Sequence, residues 1–338
     1  MRVGLGGAML MVATAWAGCR ASPPAGTTVV ALPDGRPGIG FDDLRFATAY
    51  GVLAPGGRSG YLDVVDPATR AVTAIGGFSM EPLHFAGHDQ GATSVDVGGG
   101  YLFVTDRTTS TLSVVDASTR QIAGSARVAT TPDYVRFVAT TDEVWVTEPD
   151  AEQIEVFTLA GATPSHAALI ATPGGPESLV VDGTRGRAYT HLWGGGSISV
   201  DVRTRAVVAQ WSNGCGGARG IALDEPRGLL FAGCAEGRGT VADVSRGALV
   251  TSLDVPAQGI DVIDYAPALG HLYLPGQSNA TMTIVSVGAN GDLSLAGSAA
   301  TVDGAHCVAA DDRGNAWVCD PDNGELLVIA DTAPAGGG

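Results

Sequence analysis

The chain is predicted to be all-β, a seven-bladed β-propeller of four-stranded blades. Three observations point there: a recurring strand-and-turn phrase, its spacing, and a near absence of helical periodicity. The phrase is an apolar run ending in Asp, a turn, then Thr-Arg or a remnant of it. It first reads Leu62-Asp63-Val64-Val65-Asp66-Pro67-Ala68-Thr69-Arg70, and returns at Leu112 to Arg120, Ile198 to Arg205, Val241 to Arg246 and Leu327 to Thr332. Asp201 and Asp243 are about 42 residues apart, the length of one blade. The intervals from Asp116 to Asp201 and from Asp243 to Asp331 are each about twice that, so each hides a degenerate copy. Ile154-Glu155-Val156-Phe157 and Met282-Thr283-Ile284-Val285 supply those copies and complete seven units.

The elements follow in chain order. After Arg2, the apolar stretch Val3 to Gly18 is too short to span a bilayer and fits the core of a signal peptide, assigned to residues 1–18. Ala15-Trp16-Ala17 satisfies an ordinary cleavage rule, while Ala17-Gly18-Cys19 fits the end of a lipobox, with Trp16 where Leu is usual. Of the five cysteines, a lipidated Cys19 leaves an even number for disulfides. The expectation is therefore an exported protein of the bacterial cell envelope anchored through Cys19, with a soluble secreted or periplasmic form as the alternative. Residues 19–26 are the anchor and a Pro- and Ala-containing tether.

Residues 27–332 form one propeller domain, followed by a tail, 333–338, expected to be disordered. The fifth unit divides into strand A (Gly220 to Asp224), strand B (Leu229 to Gly233), strand C (Gly239 to Val241) and strand D (Ala248 to Leu253). The second unit (Ser94, Tyr101, Thr111 and Gln121 opening its strands) and the fourth (Ser178, Arg187, Ser197, Ala206) fit the same frame. The last unit lacks a fourth strand, and Thr27 to Leu32 is a β-rich run with no blade of its own. It is expected to close the ring as the outer strand of blade seven, since an open ring exposes two unpaired edges.

The local phrases Gly220-Ile221-Ala222-Leu223-Asp224, Gly228-Leu229-Leu230-Phe231-Ala232-Gly233-Cys234 and Leu102-Phe103-Val104-Thr105-Asp106 resemble those of the bacterial YncE-like, YVTN-type seven-bladed propellers. The resemblance covers the chain after the signal segment and implies the fold and an exported address. It brings no shared catalytic set.

In the repeat frame Cys307 and Cys319 lie on strands A and B of blade seven, and Cys215 and Cys234 flank the first hairpin of blade five. Disulfides Cys215–Cys234 and Cys307–Cys319 are expected. No CxxC spacing suggests haem attachment or a zinc ribbon. Trp145 and Trp317 fall in strand B and belong to the core.

The loops between strands D and A and between strands B and C share the channel mouth of a propeller. The aligned position at the start of strand A, five residues before the strand-end Asp where one stands (Asp182, Asp224 and Asp311), carries Asp133, Glu177, Arg219, Asp261 and His306 in blades three to seven. Blade one offers Asp43 and blade two only Gly91. Trp193, in the fourth B-to-C loop, is a candidate stacking surface. An acid-lined concavity suits a small cationic ligand or a divalent cation such as calcium. The irregular segment Met80 to Gln90 adds His84, His88 and Asp89 as candidate metal ligands.

A formal net charge of −16 opposes nucleic-acid binding. Every one of the 19 basic residues is Arg, which excludes Schiff-base chemistry on lysine, and no nucleophile elbow or phosphate loop occurs. The expected function is a monomeric, non-catalytic scaffold that binds a cationic ligand or an envelope protein and meets the membrane only through its anchor. The alternative is a metal-dependent propeller hydrolase, lactonase or lyase using the acid-lined mouth.

Overall fold

The computed structural model describes residues 23–81 and 90–335. The expected signal segment with Cys19, and His84, His88 and Asp89, lie outside the described residues. Within them are seven antiparallel four-stranded sheets. Strand A of each sheet packs against strand A of the next, and blade seven packs against blade one, so the inner strands close a ring around a channel.

The frame read in the sequence survives with small extensions. Blade five is Ala218–Asp224, Leu229–Cys234, Arg238–Asp243 and Ala248–Asp254. Blade two is Ala92–Gly98, Tyr101–Asp106, Thr111–Asp116 and Gln121–Arg127. The recurring Asp-to-Arg phrase is the turn between strands C and D. Asp66, Asp116 and Asp201 each accept the backbone N–H groups two and three residues on, at 2.8–3.0 Å. The Arg that ends the phrase stands in the left-handed region, with φ of 62°, 57° and 58° at Arg70, Arg120 and Arg205. The carboxylate thus folds the chain back by satisfying donors that the reversal would leave bare.

Thr27–Ala31 pairs antiparallel with Glu325–Ala330, Thr27 opposite Ile329 and Ala31 opposite Glu325. This is the outer strand of blade seven, as expected. Its inward residue Val30 joins Leu326, Val328, Trp317 and Phe41 in one cluster, so the closing strand contributes to the core between blades seven and one. The tail is held further than expected. Ala333 N–H donates to Asp331, and the Pro334 carbonyl lies 2.9 Å from His271 Nε2 in blade six.

Trp145 and Trp317 are fully buried in strand B, and their indole N–H groups donate to Glu143 at 2.9 Å and Asp311 at 2.8 Å. Blades pack closely where strand A faces the channel. A Cβ on Gly220 would lie 2.2 Å from the Asp261 carbonyl oxygen, so only glycine admits blade six at that height, beside the mouth.

Candidate functional site

The mouth bounded by the D-to-A and B-to-C loops holds a cavity of about 150 Å³. Asp133, Glu177, Arg219, Asp261 and Trp193 all line it, so five residues singled out in the sequence meet at one place. Asp150, from the turn after strand B of blade three, joins them.

The contribution of blade one is Asp42, not Asp43. Successive residues of an extended segment point to opposite sides. Asp43 therefore turns beneath the mouth, where Arg136 grips it through Nη1 at 2.6 Å and Nη2 at 3.1 Å, and the Ser94 hydroxyl donates to it at 2.6 Å. It lines a second cavity of about 460 Å³ at the other end of the channel. There Arg136 answers Asp43, and Arg45 answers Asp96 at 2.8 Å.

Blade two is not empty. Gly91 has no side chain, but its carbonyl accepts the Arg107 N–H at 2.8 Å, and Arg107 fills the gap from the B-to-C loop. Its Nη2 lies 3.1 Å from Asp42 and also pairs with Asp133, while Nε donates to the Pro132 carbonyl at 3.0 Å. Alignment on strand A could not find this residue, because it comes from a different loop.

Across the mouth, Arg219 pairs with Glu177 at 3.2 Å. Trp193 donates its indole N–H to the other Glu177 oxygen while half of its surface stays exposed. Burial and the charge of Asp261 push the Glu177 carboxyl up to about 7, with Arg219 opposing. Five carboxylates (Asp42, Asp133, Asp150, Glu177 and Asp261) therefore face two guanidiniums (Arg107 and Arg219).

Other loop residues turn away. His191 is buried between Ser197 and the Phe231 carbonyl, and burial lowers its pKa to about 4, so it is neutral. Glu148 is buried under Thr130 and Gln153. His306 stands in the wall behind the cavity, bonded to the carbonyls of Gly304 and Phe41.

Of the expected disulfides, Cys215–Cys234 is present, with Cα atoms 5.3 Å apart. Cys307 and Cys319 face each other across strands A and B, but both are free and buried. Cys319 Sγ instead accepts the backbone N–H groups of Cys307 at 3.2 Å and His306 at 3.4 Å. The sulfur is thus satisfied as an acceptor without bonding to its neighbour. Among the described residues, two groups bring three potential ligand atoms within 4.8 Å of one another, His306–Cys307–Cys319 and Cys215–Cys234–Glu236. Neither includes a carboxylate of the mouth.

These features define a seven-bladed propeller with an acid-rich mouth, and comparisons with solved structures bear out the fold. A chain of the mitotic checkpoint complex superposes with a TM-score of 0.74 at 13% identity, covering 98% of this chain and 99% of that one. The β-propeller domain of Cps50 (Swd1) from Myceliophteria thermophila gives 0.72 at 12% identity, covering 88% and 98%. Hydrazine synthase from Kuenenia stuttgartiensis gives 0.70 at 15% identity, covering 88% and 96%. At such identities the likeness is one of fold alone. No protein-family profile matches the chain, and no curated protein matches it.

Proposed function

We propose that this protein is an exported, non-catalytic binding propeller of the YncE-like kind, anchored through Cys19, whose mouth holds a small organic cation. The observation that carries the reading is the wall formed by Trp193 and Glu177. An exposed indole face stands beside a buried carboxyl, with Asp261 adjoining and carboxylates in excess of guanidiniums. An ammonium or amidinium seated there would meet an aromatic face and a carboxylate together. A bare metal ion fits less well, because the mouth carboxylates do not converge on one point among the described residues. The seven-bladed scaffold is consistent with a binding or interaction role.

The test is a thermal-shift and calorimetric screen of the folded protein with calcium, alkylamines and guanidinium compounds. An amine that raises the melting temperature in the wild type, and does not in Glu177→Gln/Asp261→Asn, supports the reading. Stabilisation by calcium alone would make the mouth a metal site, and calcium-dependent lactone hydrolysis would make the protein an enzyme. No response to any cation would overturn the ligand site and leave a platform for a partner protein.

A further inference from the structure

Blade seven holds a cluster that the mouth does not use. His306 immediately precedes Cys307, and Cys319 lies opposite on strand B (Asn315–Asp320), its N–H donating to the Cys307 carbonyl at 3.1 Å. His306 Nδ1 is 2.6 Å from the Gly304 carbonyl oxygen and Nε2 is 2.7 Å from that of Phe41. A carbonyl oxygen only accepts, so both ring nitrogens carry protons and the ring is an imidazolium. Its Nδ1 is 3.9 Å from Cys319 Sγ, which also receives the backbone N–H groups of His306 and Cys307. A buried cation and two N–H groups directed at one sulfur make a setting for a thiolate.

The titration of the groups agrees in direction. Burial pushes the Cys319 thiol up, but the Cys307 thiol and the His306 charge outweigh it and hold Cys319 well below the usual value. Burial disfavours the charged ring of His306, yet Cys319, with Asp261 beyond it, keeps it protonated. Burial and the neighbouring Cys319 push the Cys307 thiol well up, so the pair divides into one thiolate and one thiol. The charged groups facing the pair are His306, Asp261 and Asp42. With both imidazole nitrogens committed to carbonyls, the cluster offers a metal ion no nitrogen lone pair.

We propose that Cys319 and Cys307 are a redox-active dithiol, in which the Cys319 thiolate attacks a small hydroperoxide. Cys319 Sγ bonds to the terminal peroxide oxygen, the O–O bond breaks, and the departing alkoxide takes a proton from His306. Cys319 is then a sulfenic acid. Cys307 Sγ displaces its hydroxyl, which leaves as water with the Cys307 proton, and a Cys307–Cys319 disulfide forms. The two sulfurs together lose two electrons and the peroxide gains them, giving one alcohol (water, from hydrogen peroxide) and one water. Both sulfurs are fully buried, so the oxidant must be small, and a glutathione-sized disulfide is excluded. On the mouth side of the pair stands His306, which is bonded to the carbonyl of Phe41, the residue before the mouth acid Asp42.

This proposal does not depend on the cationic ligand, and its test reads a different quantity. The folded protein, purified with the pair reduced, is treated with hydrogen peroxide at pH 6 and pH 8, quenched in acid, unfolded, and followed by differential alkylation and intact mass. The expected result is a Cys307–Cys319 disulfide at rates within about threefold of each other, where a thiol with an ordinary pKa of ~8.5 would accelerate roughly 80-fold. Cys307→Ser should stop at a sulfenic acid on Cys319, read as one added oxygen in the intact mass and captured by dimedone as the protein is unfolded, and Cys319→Ser should leave Cys307 unreacted. An ordinary thiol's pH dependence, no reaction with peroxide in the folded state, or dimedone capture at Cys307 would overturn the proposal. Because the wild-type rates alone decide, a variant that fails to fold does not rescue the idea.

Discussion

Arg107 Nη2 lies 3.1 Å from Asp42 Oδ2 and pairs also with Asp133, so a side chain of blade two joins blades one and three across the mouth. All three side chains are less than a tenth exposed. Arg107→Leu would leave two buried carboxylates without this cation. A loss of about 3–5 kcal/mol at pH 7 is expected, shrinking as the pH falls and the acids protonate, measurable by urea unfolding at pH 7 and pH 4.

Glu177 titrates near 7 in the folded protein, and a bound cation favours its ionised form. Affinity for a cationic ligand should therefore rise with pH between about 6 and 8. Glu177→Gln should weaken binding and flatten that profile. Calorimetry at three pH values checks it, and an unchanged slope in the variant would assign the dependence to another group.

Asp63, in strand C of blade one, is fully buried, and neither carboxylate oxygen has a hydrogen-bond partner. Burial first, then the charge of Asp34, raises its pKa to about 7. The folded state thus keeps a proton that the unfolded chain has lost, so this group's contribution to stability falls as pH rises from about 4 to 7. Asp63→Asn should remove that part of the slope and stabilise the protein at pH 8 by on the order of 2–4 kcal/mol, read from denaturant melts across the range.

The Cys215–Cys234 bridge closes a loop of sequence separation 19 at the edge of the mouth. Replacing both residues by Ser should cost about 3 kcal/mol through the freed unfolded chain. The folded mouth should keep its ligand preference, which separates a stabilising bridge from one that shapes the site.

Deleting Thr27–Ala31 would bare the outer edge of Glu325–Ala330 and remove Val30 from its cluster. A melting temperature lower by several degrees is expected, together with a tendency to associate through the exposed edge. Calorimetry and light scattering would test both.

The ring was legible because one physical device repeats. In four blades the Asp of the C-to-D turn accepts the same backbone donors, so Asp66, Asp116, Asp201 and Asp243 recur at one or two blade lengths and register the intervening strands. The closing strand was legible by subtraction, since the last unit had no partner of its own. The site was legible where the start of strand A builds it, and at Trp193, whose indole stands out in its loop. Arg107 replaces a missing side chain from another loop, which alignment of strand A does not reveal, and Asp42 rather than Asp43 faces the mouth because a one-residue shift in an extended segment reverses the side a residue faces. The state of Cys307 and Cys319 depends on what His306 bonds to, which no spacing reveals.

The seam between the chain's two ends also gives the molecule an up and a down. Thr27 lies opposite Ile329, on the rim that carries the A-to-B and C-to-D turns, and the chain then runs toward the face with the D-to-A loops. Whatever holds the protein by its N-terminus therefore grips the side opposite Asp133, Glu177 and Trp193. Under the proposed anchoring through Cys19, a tether of about 7 residues would span no more than roughly 25 Å, which would keep the disc near the membrane with the acidic opening turned away from it, toward whatever diffuses past.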